Sequence, residues 1–482
     1  MNLKSMLTLG LAGALVLTGC RKDFDSINTN PNEPSSVSTG FLLTSAQKSL
    51  MDNTTDEWWN GRRGNQLAQY WASNQYSNES RYQFRTEIDN GYWSAFYAGA
   101  LQDLQTIIDL NSGDDAADYA GYGANGNQIA VATLLQAWTF QMLTDCYGDI
   151  PFSEALQGGE NTTPAYDSQA DVYAGLITMI DGAISGIDAA GAGPQGDVVY
   201  GGDMGKWAMF GNSLKLRVAM RMSDADAGAA KLAGEAALDA GVILDNADNA
   251  LFGYLDAVPN NHPINQDYQT RNDFAASNTM VDYLTTNADP RLSVYYAPNA
   301  GGAYVGEVYG LNEANAALTP NDDVSQRGAA VLAATMPGIY MDAAQVRFLC
   351  AEAAAKGWAN AGGSAEEHYA AGIQASMDFW GVNAADAQAY IDAHPFSAES
   401  WVYEKWVALY MQGIEGWCEW RRLDGPALNA CADGSLGGGT DGDLPPHRFT
   451  LPLDEATLNE ANWSAAGGAA NTLNTPLWWD VN

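Results

Sequence analysis

Residues 206–222 carry the strongest structural pattern of the chain, with the sequence KWAMFGNSLKLRVAMRM. Apolar side chains recur there at three- and four-residue steps, which places them on one face of an α-helix: Trp207, Phe210, Leu214, Val218 and Met222. Lys215, Arg217 and Arg221 fall on its other faces, and an Arg can hold a carboxylate through two parallel hydrogen bonds. We predict that this helix is the core strut of a helical domain. A cationic ligand site is the alternative.

The charge balance narrows the classes of partner. The chain has 22 Lys and Arg against 58 Asp and Glu, which gives a formal net charge of −36. Such a surface repels nucleic acid and anionic membranes, so we expect neither as a partner. A hydrophobic content of 46% excludes a disordered chain.

The amino terminus predicts where the protein resides. A cationic start at Lys4 and an apolar run over 6–17 are typical of a signal peptide, and the run is too short to span a bilayer. The run ends in Leu17-Thr18-Gly19-Cys20, which resembles the lipobox of bacterial lipoproteins. We therefore predict a lipoprotein signal peptide over 1–19, then a lipidated Cys20 and a flexible tether over 20–38. An ordinary secretory signal is the alternative.

The remaining residues, 39–482, predict one mostly helical domain, since no linker divides them. Helical periodicity indicates helices at 41–51, 57–70, 93–110, 128–143, 171–187, 206–222, 225–240, 343–361, 366–380 and 384–393. The longest predicted helix is 399–423. Between 245 and 324 the pattern weakens, and we expect loops with a few short strands there.

Motifs for catalysis or cofactor binding are absent from the sequence. The GxGxxG matches at 121–126 and 191–196 do not follow predicted strands, and no HExxH, GxSxG or GxxxxGK[ST] occurs. We expect no cofactor and no catalysis. The paired carboxylates of a glycoside hydrolase have no fixed sequence spacing, so that enzyme class stays an alternative.

Two further features leave alternatives open. Asp433, Asp441 and Asp443 share a Gly-rich loop that suits oxygen coordination of a structural calcium ion, and a plain acidic loop is the alternative. Besides Cys20, four cysteines lack CxxC spacing: Cys146, Cys350, Cys418 and Cys431. A Cys418–Cys431 disulfide and free buried thiols are both compatible with this spacing.

One stretch has the composition that a carbohydrate site needs. Residues 71–82, WASNQYSNESRY, mix aromatic rings with amides, hydroxyls and one Arg. Rings pack on the C–H faces of sugars, while amides and Arg hold hydroxyl groups. Our candidate contacts in this stretch are Trp71, Asn74, Gln75, Tyr76, Arg81 and Tyr82. A second candidate group, from the irregular middle of the chain, consists of Tyr268, Arg271 and Asp273. For an anionic glycan, Arg81, Arg85 and Arg271 are the candidate cations.

Several segments in the same order resemble one known family. They are the lipobox with acidic residues behind it, TDCYGDIPFSEAL, KWAMFGNSLKLRVAMRM, DPRL, YEKWVALYMQGIEGWCEWRRLDGP and the terminal WWD. Together they resemble the SusD/RagB-type nutrient-binding outer-membrane lipoproteins of Bacteroidetes, and specifically the SusD-like 2 branch.

The resemblance implies an all-α fold: a tetratricopeptide-type helical-repeat scaffold with long irregular loops and a few short strands that form the ligand face. It implies a lipid-anchored protein on the cell surface that binds oligosaccharides, or in some members peptides, without catalysis. It also implies delivery to a SusC-type TonB-dependent transporter of the outer membrane. The motif positions carried over as scaffold are Trp207, Asn212, Lys215, Arg217, Arg221, Trp406, Glu415, Trp417, Arg421 and Arg422.

Overall fold

The computed structural model describes residues 37–440 and 443–481. Residues from Thr39 onward form one compact unit. The predicted signal peptide, Cys20 and all but the last two residues of the tether lie outside the described residues, so those predictions stay predictions. None of the described helices combines the length and the apolar character that a bilayer crossing requires.

The described residues form nineteen α-helices, which we number in chain order. They are α1 Thr39–Thr55, α2 Thr86–Ser94, α3 Gln102–Ser112, α4 Ala116–Tyr119, α5 Asn125–Tyr147, α6 Gln169–Ser185, α7 Met204–Arg221, α8 Ala227–Ala240, α9 Pro263–Tyr268, α10 Asn278–Thr286, α11 Leu292–Tyr295, α12 Glu313–Ala316, α13 Ala343–Ala355, α14 Ala365–Phe379, α15 Ala384–Ala393, α16 Ala398–Ala408, α17 Gly413–Leu423, α18 Glu455–Leu458 and α19 Glu460–Ala465. Two π-helices, Glu57–Asn65 and Ala95–Leu101, and five 3₁₀ turns complete the helical part.

The described strands are short and pair two by two. They are β1 Trp71–Ser73, β2 Ile150–Pro151, β3 Tyr166–Asp167, β4 Ala250–Phe252, β5 Phe274–Ala276, β6 Tyr296–Ala297, β7 Gln326–Arg327 and β8 Gly338–Met341. All four ladders are antiparallel, and they join β1 to β5, β2 to β3, β4 to β8 and β6 to β7. The prediction of an all-α scaffold with a few short strands is confirmed.

Helices that follow one another pack side by side, as in tetratricopeptide repeats. Helix α5 lies between α3 and α6, α7 lies between α6 and α8, and α13 pairs with α14. Each helix has an apolar stripe that only a neighbouring helix can cover, so successive pairs build a continuous core. The stripe predicted on α7 is buried, because Trp207, Phe210, Leu214 and Val218 have no exposed surface.

The cations of α7 serve the scaffold. Lys215 Nζ lies 2.5 Å from Asp181 on α6. Arg221 has no exposed surface and pairs with Glu415 and, at 3.2 Å, with Glu419 of α17. Burial of a charge is tolerated only where such partners satisfy it. These pairs confirm the prediction of a core strut.

The prediction of one long helix over 399–423 is wrong, because the chain breaks between α16 and α17. Met411 has a left-handed φ of 69°. The Asn60 side chain bonds both sides of the break: its Nδ2 donates to Met411 O at 2.9 Å, and its Oδ1 accepts from Gly413 N at 3.2 Å. A Cβ on Gly413 would stand 2.2 Å from Asn65 N, so only glycine permits this approach. A tertiary contact thus divides the helix.

The predicted α-helix over 57–70 is also different in the structure. Glu57–Asn65 is a π-helix whose first turn is capped by Asp56, which accepts hydrogen bonds from Trp58 N and Trp59 N. In a π-helix the residue five positions on lies above the first, and Arg62 Nε accordingly reaches Glu57 Oε1 at 3.0 Å. This geometry turns Trp58 and Arg62 toward the strands β1 and β5.

The four cysteines in the described part of the chain are free thiols, and all four are buried. Cys418 lies inside α17 and accepts a hydrogen bond from Arg421, whereas Cys431 lies in the loop beyond that helix. Of the two arrangements compatible with the sequence, the structure therefore has buried thiols.

Candidate functional site

The ladder of β1 with β5 brings the two sequence-predicted ligand groups together. Ser73 pairs with Phe274, and Asn74 N donates to Asp273 O at 3.1 Å. The residues that follow β1 therefore lie beside the residues that precede β5, although about 200 positions separate them in the sequence. Tyr76 and Arg271 become direct neighbours, with the Arg271 guanidinium 4.9 Å from the centre of the Tyr76 ring.

Rings and guanidinium groups alternate across this surface. The Arg85 guanidinium lies 4.9 Å from the Trp58 ring, whose centre is also 4.7 Å from the guanidinium of Arg62. The Arg62 guanidinium in turn lies 5.9 Å from the centre of the Tyr76 ring, and the Arg271 guanidinium lies 4.9 Å from the same centre. We call these five residues, Arg85, Trp58, Arg62, Tyr76 and Arg271, the arginine ladder. Cation–π contacts of this kind favour a fixed arrangement of the rings.

The two ends of the arginine ladder face solvent and its centre does not. The side chain of Arg85 is 42% exposed and that of Arg271 is 41% exposed. Tyr76 is 49% exposed and Trp58 is partly exposed, whereas Arg62 is buried. The outer arginines and the two rings can therefore contact a ligand, while the buried Arg62 contacts both rings from within the protein.

Buried carboxylates fix the arginines in place. Arg62 Nη2 lies 2.6 Å from both Glu57 Oε1 and Asp273 Oδ2. Asp273 Oδ2 also accepts hydrogen bonds from Arg271, at 3.0 Å from Nε and 2.6 Å from Nη2. Glu79 holds Arg85 through a 2.8 Å contact with Nε. Charge-assisted bonds of this length orient a planar guanidinium strongly, so the ladder is organised before a ligand arrives.

Asp267, in helix α9, adds a further carboxyl beside these buried acids. Burial, and then its hydrogen bond with Glu57, raises the pKa of Asp267 to about 8. Although burial acts in the opposite direction, that hydrogen bond and the charge of Arg62 hold the pKa of Glu57 below its ordinary value. The two carboxyls therefore share one proton near neutral pH, with Asp267 as the donor.

Arg327 lies beneath the same surface. It is buried and packs against three rings, Trp71 at 5.2 Å, Phe274 at 5.4 Å and Tyr268 at 4.9 Å. Its only hydrogen bond within the described residues goes from Nη2 to Asn272 Oδ1 at 3.0 Å, and its Nε and Nη1 have no partner there. No carboxylate lies within ion-pair distance of it in the described chain.

The sequence-predicted contact residues separate into an exposed and a buried set. Gln75, Tyr76, Tyr268 and Arg271 are exposed. Trp71, Asn74 and Asp273 are buried: Trp71 Nε1 donates to Tyr410 Oη at 3.0 Å, and the Asn74 amide donates to Asn321. In this arrangement a ligand cannot reach the three buried residues. They support the site from within the protein: Trp71 lies in β1, and Asn74 and Asp273 flank the ladder of β1 with β5.

Arg81 and Tyr82 hold a loop in place. Arg81 donates from Nε to Gly434 O at 2.7 Å and from Nη2 to Asp433 O at 2.8 Å. Tyr82 is fully buried beneath this Gly-rich loop, and a Cβ on Gly437 would stand 1.7 Å from Tyr82 O. Both side chains therefore hold the loop, with Tyr82 buried and Arg81 partly exposed, and a contact of Arg81 with a sugar stays a prediction.

Trp58, Arg62 and Asp267 were missed by the sequence reasoning. Trp58 and Arg62 are four positions apart, a spacing that marks one face of a helix, so their proximity was detectable. Their proximity to Tyr76 and Arg271 was not detectable, because it depends on the π-helix and on the ladder of β1 with β5.

The predicted calcium residues make hydrogen bonds within the protein. Asp433 Oδ2 accepts from Asn312 N and Asn315 Nδ2, both at 2.8 Å, and Asp443 Oδ1 accepts from Ser435 Oγ at 2.7 Å. These bonds lower the pKa of both carboxyls. Asp441 lies outside the described residues, and calcium binding here stays a prediction.

Comparison with known proteins agrees with this architecture. The SusD-like 2 family model, described as starch-binding associating with outer membrane, matches residues 31–452. No curated protein has a detectably similar sequence.

Solved structures resemble the chain over nearly its whole length. A protein described as chitin-binding is 27% identical, with a TM-score of 0.80 over 92% of this chain and 100% of that one. A chitin-binding SusD homologue from Flavobacterium johnsoniae is 24% identical, with a TM-score of 0.79 over 91% and 99%. A SusD homologue from Bacteroides uniformis is 24% identical, with a TM-score of 0.78 over 92% and 100%. With its helical repeats, its short ladders and a family match over most of its length, this chain belongs to the SusD-like 2 family.

Proposed function

We propose that this protein binds oligosaccharides at the cell surface through the arginine ladder and the neighbouring Gln75 and Tyr268. The observation that carries the proposal is a pre-organised pair of rings at the surface, the partly exposed Trp58 and the exposed Tyr76, flanked by guanidinium groups. Flat rings pack on the C–H faces of sugars, and the free N–H groups beside them donate to hydroxyl oxygens. The site therefore offers both stacking and orientation.

Family membership supports the location and the role. Members are described as starch-binding and as associating with the outer membrane. In our proposal Cys20 carries the lipid anchor, the mature protein begins there, and residues 20–38 tether the domain that follows. The bound oligosaccharide passes to a SusC-type TonB-dependent transporter, and the protein itself performs no catalysis. A solved structure described as chitin-binding makes chito-oligosaccharides the first ligands to test.

The test is a glycan array probed with the purified full-length chain, followed by calorimetry with chitohexaose and with every glycan bound. We expect binding, and we expect Trp58→Ala to weaken it by about 1–3 kcal/mol because a central ring is lost. Phe41→Ala is the matched control, since Phe41 is 76% exposed on α1, away from the arginine ladder. An array without any glycan bound would contradict the proposal.

Two alternatives have their own readouts. A peptide library that binds while the array stays empty would indicate a peptide-binding lipoprotein of the same architecture. New reducing ends after incubation with polysaccharide would indicate a glycoside hydrolase. The carboxyls of that enzyme class stand about 5–9 Å apart across the sugar. Glu57 and Asp267 are instead hydrogen-bonded to each other, which favours the binding role.

A further inference from the structure

Exposed arginine is concentrated at one place on this protein. In the described residues only Arg85 and Arg271 are exposed arginines, and the exposed lysines are Lys231 and Lys356. Both exposed arginines are the outer members of the arginine ladder, where they cover the rings of Trp58 and Tyr76. In a chain with 58 acids and 22 Lys and Arg, the clustering of both exposed arginines on one surface points to a role for positive charge there.

The outer arginines keep donors available. Arg85 is held by Glu79 through Nε, and no described residue accepts a hydrogen bond from its two terminal nitrogens. Arg271 uses Nε and Nη2 on Asp273, which leaves Nη1 open. The terminal edge of a guanidinium presents two parallel N–H groups, which match the two oxygens of a carboxylate. Arg85 can therefore bind a carboxylate in bidentate fashion and Arg271 can add a single bond.

The acids that contact the arginine ladder are already engaged. Glu57, Glu79 and Asp273 are buried, and each lies in an ion pair with an arginine of the ladder. The carboxyl of Asp267 is hydrogen-bonded to Glu57. Arg327 adds a buried guanidinium with two unpartnered nitrogens directly under the ring of Tyr268. Four guanidinium groups, those of Arg62, Arg85, Arg271 and Arg327, therefore lie beside three ion-paired carboxylates and the Asp267 carboxyl, whose pKa is raised chiefly by burial.

Distant charge has little effect at the arginine ladder. At physiological salt the Debye length is about 8 Å, so exposed acids further away are largely screened. The electrostatic energy of an anionic group at the arginine ladder is therefore set mainly by the guanidinium groups within a few ångströms of it.

We propose that the arginine ladder selects acidic oligosaccharides, with a uronic acid carboxylate held by Arg85 or Arg271 while the adjacent sugar ring stacks on Trp58 or Tyr76. This inference rests on the proposed function, since it names the class of sugar that the same surface binds. The planar carboxylate fits the bidentate edge of Arg85 better than a neutral hydroxyl does, because two charge-assisted bonds form together.

The test compares acidic hexasaccharides with their carboxyl-reduced counterparts by calorimetry on the full-length chain. The probes are hexamers of galacturonate, mannuronate, guluronate and glucuronate, with chitohexaose and a sulfated carrageenan hexamer beside them. We expect at least one uronate hexamer to bind tenfold or more tightly than its reduced form. We also expect that affinity to fall between about 50 and about 500 mM NaCl, since salt screens the contact.

Variants assign the effect to the two residues. Arg85→Gln and Arg271→Gln should each weaken the affinity for the uronate hexamer by about tenfold, because each removes a hydrogen bond to a charged group. The loss of affinity for a neutral hexamer should be smaller, because Gln still donates a hydrogen bond to a hydroxyl oxygen but carries no charge for a carboxylate. Lys231→Gln is the matched control, because Lys231 is an exposed cation on α8 with 50% of its side chain in solvent. Unfolding curves of all variants establish that the fold is retained.

Four results would overturn the inference. Tighter binding of chitohexaose or of the reduced hexamers would remove acid selectivity and leave the proposed function standing. Uronate binding that survives both arginine variants would place the carboxylate elsewhere on the protein. Binding of the sulfated hexamer alone would mean that the site selects sulfated sugars and not uronic acids. Absence of binding to every carbohydrate would remove the proposed function as well.

Discussion

Arg62 Nη2 lies 2.6 Å from Asp273 Oδ2, and the two residues are 211 positions apart in the sequence. This buried ion pair ties the π-helix to the segment that enters β5. The same carboxylate oxygen also accepts hydrogen bonds from the exposed Arg271. A single buried acid thus sets the positions of one supporting guanidinium and of one that can contact a ligand.

Loss of Arg62 should destabilise the protein strongly. Arg62→Met keeps most of the side-chain volume but leaves Glu57 without its arginine and Asp273 with Arg271 alone. We expect the free energy of unfolding to fall by about 3–5 kcal/mol, as for a buried pair with one partner removed. Urea unfolding measures it. Lys48→Met, which breaks the partly exposed Lys48–Asp52 pair, is the control and should cost about 1 kcal/mol or less. Equal costs would show that the buried pair has no special role.

Tyr76→Ala should weaken oligosaccharide binding without weakening the fold. The ring is 49% exposed, so its removal opens no cavity. We expect affinity to fall by about 1–3 kcal/mol in calorimetry, because a stacking surface is lost. The unfolding midpoint should stay within error of the unmodified chain. An unchanged affinity would place the ligand away from Tyr76.

Trp71→Ala should give the opposite result. Trp71 has no exposed surface, and its ring packs on Phe274 at 5.5 Å. We expect a loss of about 3–5 kcal/mol in the free energy of unfolding, typical of a large buried ring replaced by alanine. Affinity measured on the folded fraction should change less than in Tyr76→Ala. A variant with full stability and no binding would mean that Trp71 reaches the ligand after all.

The Glu57–Asp267 pair predicts a pH dependence with a definite sign. The pKa of Asp267 is about 8 in the folded chain, against about 3.9 for an unfolded Asp. Between these values the folded state keeps a proton that the unfolded state has released. The contribution of this group to the free energy of unfolding is therefore fully present below about pH 4 and is lost as pH rises toward 8.

Asp267→Asn isolates that contribution. Asn keeps a donor for Glu57 and cannot ionise, and the other charged groups that face this position, Asp273 and Arg327, are unchanged. Urea unfolding at about pH 5 and about pH 8 should show that the unmodified chain loses more stability than the variant on raising the pH. Parallel losses in the two proteins would contradict the shared proton.

Gly413→Ala tests the contact that divides α16 from α17. The added Cβ would meet Asn65 N and Gly64 C at 2.2 Å, and both atoms belong to backbone. We expect a cost of about 1–3 kcal/mol or more in the free energy of unfolding, since overpacked backbone must shift. Gly91→Ala in α2 is the control: no atom lies within 4 Å of that Cβ, and alanine should stabilise the helix by about 0.5–1 kcal/mol. Similar values for the two variants would remove the packing explanation.

Local sequence predicted those elements whose stability is local. Helix α15 occupies Ala384–Ala393, the same residues that periodicity indicated, and α7 buries the predicted apolar stripe. The break before Gly413 and the π-helix at Glu57–Asn65 were not predictable in this way. Both depend on the Asn60 side chain and on backbone contacts with segments about 350 positions away.

At the candidate site too, the sequence predicted some features and tertiary contacts decided the others. Composition indicated rings and amides in 71–82 and a second group around Arg271, and Tyr76, Gln75, Tyr268 and Arg271 do lie at the surface. Composition could not distinguish Tyr76 from Trp71 or Tyr82, because the side of a strand or loop that faces the core is fixed by what packs against it.

The sequence by itself determined the helical class, through the 3.6-residue period of its apolar positions, and the family, through the order of its motifs. Tertiary structure alone decided which side chains meet at the surface. Trp58, Tyr76 and Arg271 come from three separate segments, and only the pairing of β1 with β5 and the buried carboxylates of Glu57 and Asp273 place them side by side. Electrostatic and stacking contacts act over a few ångströms in space, and distance along the chain does not encode that proximity.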